Sequence, residues 1–142
     1  MGLLNRYEKI RMDKDAIPKA ESRNRSGGKK RMNRTIRVSA AGDILIMKRL
    51  LPGYQDVLPI REFLMQGEVR MANLETTISD GSCYASAYSG GTWLTADAKC
   101  LEDTLRYGFN FLGISNNHTM DYSYEGLAST ISELKKKDVA YA

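Results

Sequence analysis

From Thr35 onward, short runs of strand-forming residues alternate with segments of helical period, and the first three runs each end on a polar turn. Such alternation admits few folds. A strand, a crossing helix and a further strand pair in parallel through right-handed crossovers, so the order β-α-β-α-β-α-(β) predicts an α/β fold with a mostly parallel sheet and helices on its faces. The first strand covers residues 35–41 and is bounded by Gly42-Asp43. A helix over residues 56–66 follows, with Pro59 in its first turn, an apolar stripe of Ile60, Phe63 and Leu64, and Gly67 as its stop. Residues 68–73 form the second strand and run into Leu74-Glu75. Thr95 or Asp97 caps a helix reaching about Tyr107, with Ala98, Leu101 and Leu105 inward and Gly108 at its end. A buried strand over 109–114 delivers the chain to Ser115-Asn116-Asn117-His118. The last helix, over 124–137, carries Leu127, Ile131 and Leu134 on one face and Lys135-Lys136-Lys137 at its negative end. Residues 139–142 begin another strand. Between these elements, residues 76–94 are rich in Ser, Gly and Tyr and read as a long loop with no element of its own.

In sheets of this kind ligands bind outside the carboxyl ends of the strands, and all three polar turns fall there. Asp43 follows a glycine at the first strand end, where its carboxylate can take a hard or borderline metal; it can equally hydrogen-bond its own turn. Asn73 and Glu75 flank Leu74, so in extended backbone both polar groups share a face while Leu74 packs inward. The alternative for this pair is an ordinary polar strand end. His118 is the only histidine of the chain and follows a buried strand amid amides, with Asp121 three residues on. An imidazole so placed can ligate a metal or act as a general acid, and the carboxylate can fix its tautomer. Tyr84, Tyr88, Trp93, Tyr122 and Tyr124 either form an aromatic wall for a sugar or base or pack into the loop and core, the commoner use of aromatics.

A chain of 142 residues with 42% hydrophobic content is one domain, or part of one, with a real core. Its net charge of +4 is unevenly distributed. Residues 1–34 hold 11 Lys and Arg against 4 Asp and Glu, whereas the remainder holds 10 against 13. The basic character thus belongs to the first 34 residues, which read as a flexible arm with at most a short helix through Leu3, Leu4, Tyr7 and Ile10. Nucleic acid is accordingly the least supported partner, since net charge alone speaks to non-specific association. No apolar run of about 18 residues occurs, and no signal peptide can be read, so a soluble cytoplasmic protein is expected. Cys83 and Cys100 lack zinc-knuckle or redox spacing and read as free thiols.

The segments Gly42-Asp43-Ile44-Leu45, Asn73-Leu74-Glu75-Thr76-Thr77-Ile78 and Asn116-Asn117-His118-Thr119-Met120-Asp121-Tyr122, followed by Gly126-Leu127, resemble the bacterial capsule biosynthesis protein CapA family. That family is associated with poly-γ-glutamate capsules and belongs to the calcineurin-like metallophosphoesterase superfamily. The resemblance spans about residues 35–142 and implies the amino-terminal half of an α/β/β/α sandwich. It further implies that Asp43, Glu75, Asn117 and His118 are metal positions, that His118 protonates a leaving oxygen or steadies the transition state with Asp121 orienting it, and that Asn73 and Asn116 contact substrate. The implied cofactors are divalent metal ions (Mn, Zn, Fe or Mg), two in a complete domain, and the implied chemistry is two-metal hydrolysis. Two departures stand out. Ser123 occupies a position where that family usually has glycine, and no histidine follows His118, although the superfamily draws further ligands from its carboxyl-terminal half. The expectation is therefore a truncated, metal-dependent, phosphoesterase-like hydrolase domain related to capsule or poly-γ-glutamate synthesis. Its partners would be an anionic polymer or phosphoester substrate and capsule-synthesis proteins. The alternative is a non-catalytic accessory protein that binds the polymer.

Overall fold

The computed structural model describes residues 35–142; the basic arm and its short helix lie outside the described residues. Strand β1 (Val38–Ile44) leads to helix α1 (Val57–Leu64), then β2 (Val69–Leu74), a short β3 (Thr77–Ile78), β4 (Thr95–Ala96), α2 (Ala98–Leu105), β5 (Phe111–Gly113), α3 (Ser123–Lys136) and β6 (Ala140–Tyr141). β1, β2, β5 and β6 form one sheet in that order, and every pair is parallel. This is the α/β architecture expected from the alternation of elements. The helices stop where local chemistry stops them. Asp97 caps α2 by accepting the Lys99 N–H at 2.7 Å, and Gly108, at φ +95°, turns the chain out of the helix. Leu101, Leu112 and Leu134, from α2, β5 and α3, are wholly buried and meet Leu64, Leu74 and Ile78 in one core. Each such leucine contributes about 2 kcal/mol of apolar transfer.

Three expectations are corrected. The first strand does not end before Gly42-Asp43 but runs through them to Ile44. From Ala40 to Asp43 it advances three residues while β2 advances two, from Met71 to Asn73, so one extra residue is accommodated as a bulge. Residues 76–94 are not without an element. Their first residues form β3, which pairs in parallel with β4 as a second, two-stranded sheet. The Ile78 N–H donates to Thr130 Oγ1 of α3 at 2.9 Å, and that hydroxyl donates to Gly126 O at 2.9 Å, so this small sheet is tied to α3. Lastly, the stripe on α1 is only partly inward. Leu64 is 1% exposed, but Ile60 and Phe63 are 46% and 57% exposed, and Val57, outside the expected stripe, is buried.

Candidate functional site

The bulge in β1 determines where Asp43 points. Strand side chains alternate between faces, and paired residues of parallel strands share one. Without the extra residue Gly42 would lie opposite Asn73; with it, Asp43 does. The Asn73 amide Nδ2 accordingly donates to Asp43 Oδ1 at 2.9 Å, and it also approaches Glu75 Oε1 at 3.4 Å. Two carboxylates from adjacent strand ends thus converge on one amide.

That amide is oriented by the neighbouring turn. The His118 N–H donates to Asn116 Oδ1 at 2.9 Å, which leaves Asn116 Nδ2 facing Leu74 O and Asn73 Oδ1, both at 3.0 Å. Backbone groups on both sides therefore fix which end of each amide is nitrogen. Thr119 closes the turn: its hydroxyl accepts the Asn116 N–H at 2.8 Å and donates to Ile114 O at 2.6 Å.

Asp121 and His118 form the second half of the site. Asp121 is 1% exposed, and its Oδ2 lies 2.8 Å from His118 Nδ1. Burial alone would raise this carboxyl. The Leu94 N–H, the His118 ring and the Gly90 N–H together outweigh burial and hold it below its ordinary value, so it is ionised at neutral pH. An ionised partner makes His118 Nδ1 the protonated nitrogen and leaves Nε2 to bind a metal or carry an exchangeable proton. His118 is 8% exposed and lines a small cavity with Leu74, Glu75, Thr76 and Thr119. Its volume of about 10 Å³ has room for a single water.

The same carboxylate holds residues 79–94. Asp121 Oδ2 accepts the Leu94 N–H at 2.8 Å, Oδ1 accepts the Gly90 N–H at 3.0 Å, and the Asp121 carbonyl accepts the Ser86 N–H at 2.8 Å. Asn117, which is exposed, donates from Nδ2 to Gly90 O at 2.9 Å. A Cβ on Gly90 would stand 2.5 Å from Asn117 O, so only glycine allows this approach.

All seven residues expected from sequence thus fall in one hydrogen-bonded neighbourhood, though with unequal parts. Asp43, Asn73, Glu75 and Asn116 form one connected group. His118 and Asp121 form another, joined to the first through Asn116, and Asn117 reaches the loop through Gly90. Asp43 and Glu75 supply hard oxygen donors of the kind divalent cations take. Among the described residues, however, no three His, Cys, Asp or Glu side chains are placed to hold a metal ion. Asp43 and Glu75 are two such donors and make no closed coordination shell by themselves.

Sequence reasoning missed the bulge, the role of Thr119, and the grip of Asp121 on the loop. A glycine inside a strand pattern, Gly42, was a usable signal for the bulge. The loop contacts carry no local signal, because they join residues 27 and 31 positions apart.

Residues 29–142 match the family of the bacterial capsule synthesis protein PGA_cap. The uncharacterized proteins y4sH and y4uA of Sinorhizobium fredii are each 28% identical to the chain over 110 residues, covering 72% of this chain and 23% of theirs. The chain thus spans less than a quarter of the length of these curated relatives. The family match takes in the whole described sheet, the bulge of β1 and every residue of the site, and the chain belongs to the bacterial capsule synthesis protein family.

Proposed function

We propose that this domain contributes the amino-terminal part of a metal-assisted hydrolase site that cleaves phosphoester or related linkages during capsule polymer synthesis. The observation that carries the reading is the His118–Asp121 pair, whose ring is oriented by a buried, ionised carboxylate and whose turn is braced through Asn116 to Asn73 and the carboxylates of Asp43 and Glu75. A divalent ion held by Asp43 and Glu75, with Asn117 and donors beyond the described residues, would acidify a water and offset developing oxyanion charge. His118 then has a defined task. With Nδ1 committed to Asp121, its protonated form can deliver a proton only from Nε2, toward a leaving oxygen. Asp121 stabilises that imidazolium and keeps the ring from rotating. Asn73 and Asn116 keep the carboxylates in register with the histidine.

Turnover of bis(4-nitrophenyl) phosphate and of a γ-glutamyl peptide, each with and without Mn²⁺, tests the reading. It predicts Mn²⁺-dependent phosphodiester cleavage that falls at least a hundredfold in His118→Ala, the usual range for loss of a general acid. Metal-independent retention of poly-γ-glutamate with no turnover of either substrate would instead establish an accessory, polymer-binding role.

A further inference from the structure

The aromatic side chains of the loop are not part of the core. Tyr84 and Tyr88 are 90% and 88% exposed, Tyr124 at the start of α3 is 78% exposed, and Trp93 is 45% exposed. Exposed rings on a mobile loop would mean little, but this loop is fastened to the site. Its backbone is held by the Asp121 carboxylate at Gly90 and Leu94 and by the Asp121 carbonyl at Ser86. The Trp93 indole N–H donates to Ser86 O at 3.0 Å, and the Ser86 hydroxyl donates to Tyr88 O. Tyr84 and Tyr88 each lie two residues from Ser86, within roughly 7 Å of it along the chain. Trp93, Tyr84 and Tyr88 are thus gathered around Ser86, on the residue that orients His118.

The charge of the chain segments around these rings is one-sided. The chain has no Lys or Arg between Arg70 and Lys99, and none between Arg106 and Lys135. Those two stretches supply Asn73, Glu75, the loop, the His118 turn and most of α3, and their charged groups are Glu75, Asp80, Asp97, Asp121, Glu125 and Glu133. Lys136 acts on Asp80 at the start of the loop, but a polyanion lying along these stretches would otherwise meet carboxylates. Rigid aromatic faces amid Ser and Thr hydroxyls offer what a neutral sugar chain needs: apolar surfaces for the C–H faces of pyranose rings, and hydroxyls for their hydrogen bonds.

We infer that the loop of residues 79–94 is a binding platform for a neutral saccharide, with Trp93, Tyr84 and Tyr88 as its stacking faces. The inference rests on the reading of the His118 edge as the reacting one: the linkage to be cleaved lies at the carboxylates and His118, and the flanking sugar lies on the loop. It makes the bulk of the substrate a neutral glycan rather than poly-γ-glutamate.

Trp93 is the only tryptophan of the chain, so its fluorescence reports on this loop alone. The full chain, free of added metal, is titrated with tetrasaccharides of glucose, N-acetylglucosamine and galactose, and with poly-γ-glutamate. The expected result is a saturable change in Trp93 emission with at least one tetrasaccharide, weakened about tenfold in Tyr88→Ala, the cost of one stacking face. Tyr84→Ala weakens it similarly, and poly-γ-glutamate leaves the emission unchanged. Because both tyrosines are exposed, their variants keep the fold, which far-UV circular dichroism checks. No response to any of the three tetrasaccharides, or a response that both tyrosine variants leave intact, overturns the inference, as does tighter binding of poly-γ-glutamate. The readout needs neither metal nor turnover. A saccharide response without phosphodiester cleavage therefore refutes the hydrolase reading alone, and cleavage without a saccharide response refutes only the platform.

Discussion

Replacing Asp121 by asparagine removes one oxygen and one charge from the most connected side chain of the site. In the native protein Oδ2 accepts from Leu94 N–H and His118 Nδ1, and Oδ1 accepts from Gly90 N–H. A carboxamide oxygen in the Oδ2 position keeps two of these bonds, but its NH₂ group then faces the Gly90 N–H, donor against donor. One charge-assisted bond, worth about 1.5–3 kcal/mol, is lost, and the remaining two lose their ionic character. The expected destabilisation is about 3 kcal/mol. Alanine loses all three hydrogen bonds and strands the buried Leu94 N–H, so it should cost at least 1 kcal/mol more. Urea unfolding followed by circular dichroism measures both variants. Chymotrypsin, which cuts at exposed aromatic residues, should cleave at Tyr84 and Tyr88 faster in either variant than in wild type. An Asp121→Asn protein within about 0.5 kcal/mol of wild type, the usual range for surface substitutions, would refute the view that this carboxylate holds the loop.

Ser123, at φ +56°, opens α3 in a left-handed conformation that costs a non-glycine residue about 1–2 kcal/mol. Ser123→Gly should recover about 0.5–1 kcal/mol after the entropic cost of glycine, read as a higher urea midpoint; a lower one would contradict the assignment. Gly90→Ala drives a Cβ into the Asn117 backbone, with contacts of 2.5 and 2.7 Å, so faster chymotryptic cutting of the loop is expected, and unchanged cutting would count against the contact. Asp103 gives an acid-sensitive link between α2 and the segment after β1. Its carboxyl lies below its ordinary value because Arg49 Nε donates to it at 2.6 Å, against the opposing effect of burial and with help from the Leu50 N–H at 2.9 Å. A depressed folded value means the contribution is present above about pH 3.9, the unfolded value, and is lost as pH falls through the lower folded one. Urea midpoints from pH 2 to 7 should therefore drop on the acid side, and Arg49→Gln should flatten that drop; an unchanged acid limb would exclude the link.

The parallel sheet was legible because periodicity changes along the chain are coarse and repeated, and the helix ends at Asp97 and Gly108 follow from capping chemistry that acts within a few residues. The position of Asp43 was legible, but its direction was not. A single extra residue in β1 decides which face it joins, and that choice is made by pairing with β2. The exposed faces of Ile60 and Phe63 escaped notice because a helical stripe shows amphipathicity without showing what covers it. For His118 and Asp121 the spacing of three residues gave the pair, while the contacts of Asp121 with Gly90 and Leu94 depend on where a long loop returns. Ser123, by contrast, stood at a position that resemblance reserves for glycine, and its positive φ gives the physical reason for that preference.

Asp43 and Glu75 meet at the Asn73 amide, and the proposed hydrolase site requires that they hold a divalent ion there. Calorimetric titration of Mn²⁺ into the full chain tests this without reference to turnover. The account predicts saturable binding that weakens at least tenfold in both Asp43→Asn and Glu75→Gln, with circular dichroism unchanged, because each variant removes an anionic oxygen donor and keeps its shape. Absence of Mn²⁺ binding, or binding that both variants leave intact, would contradict it.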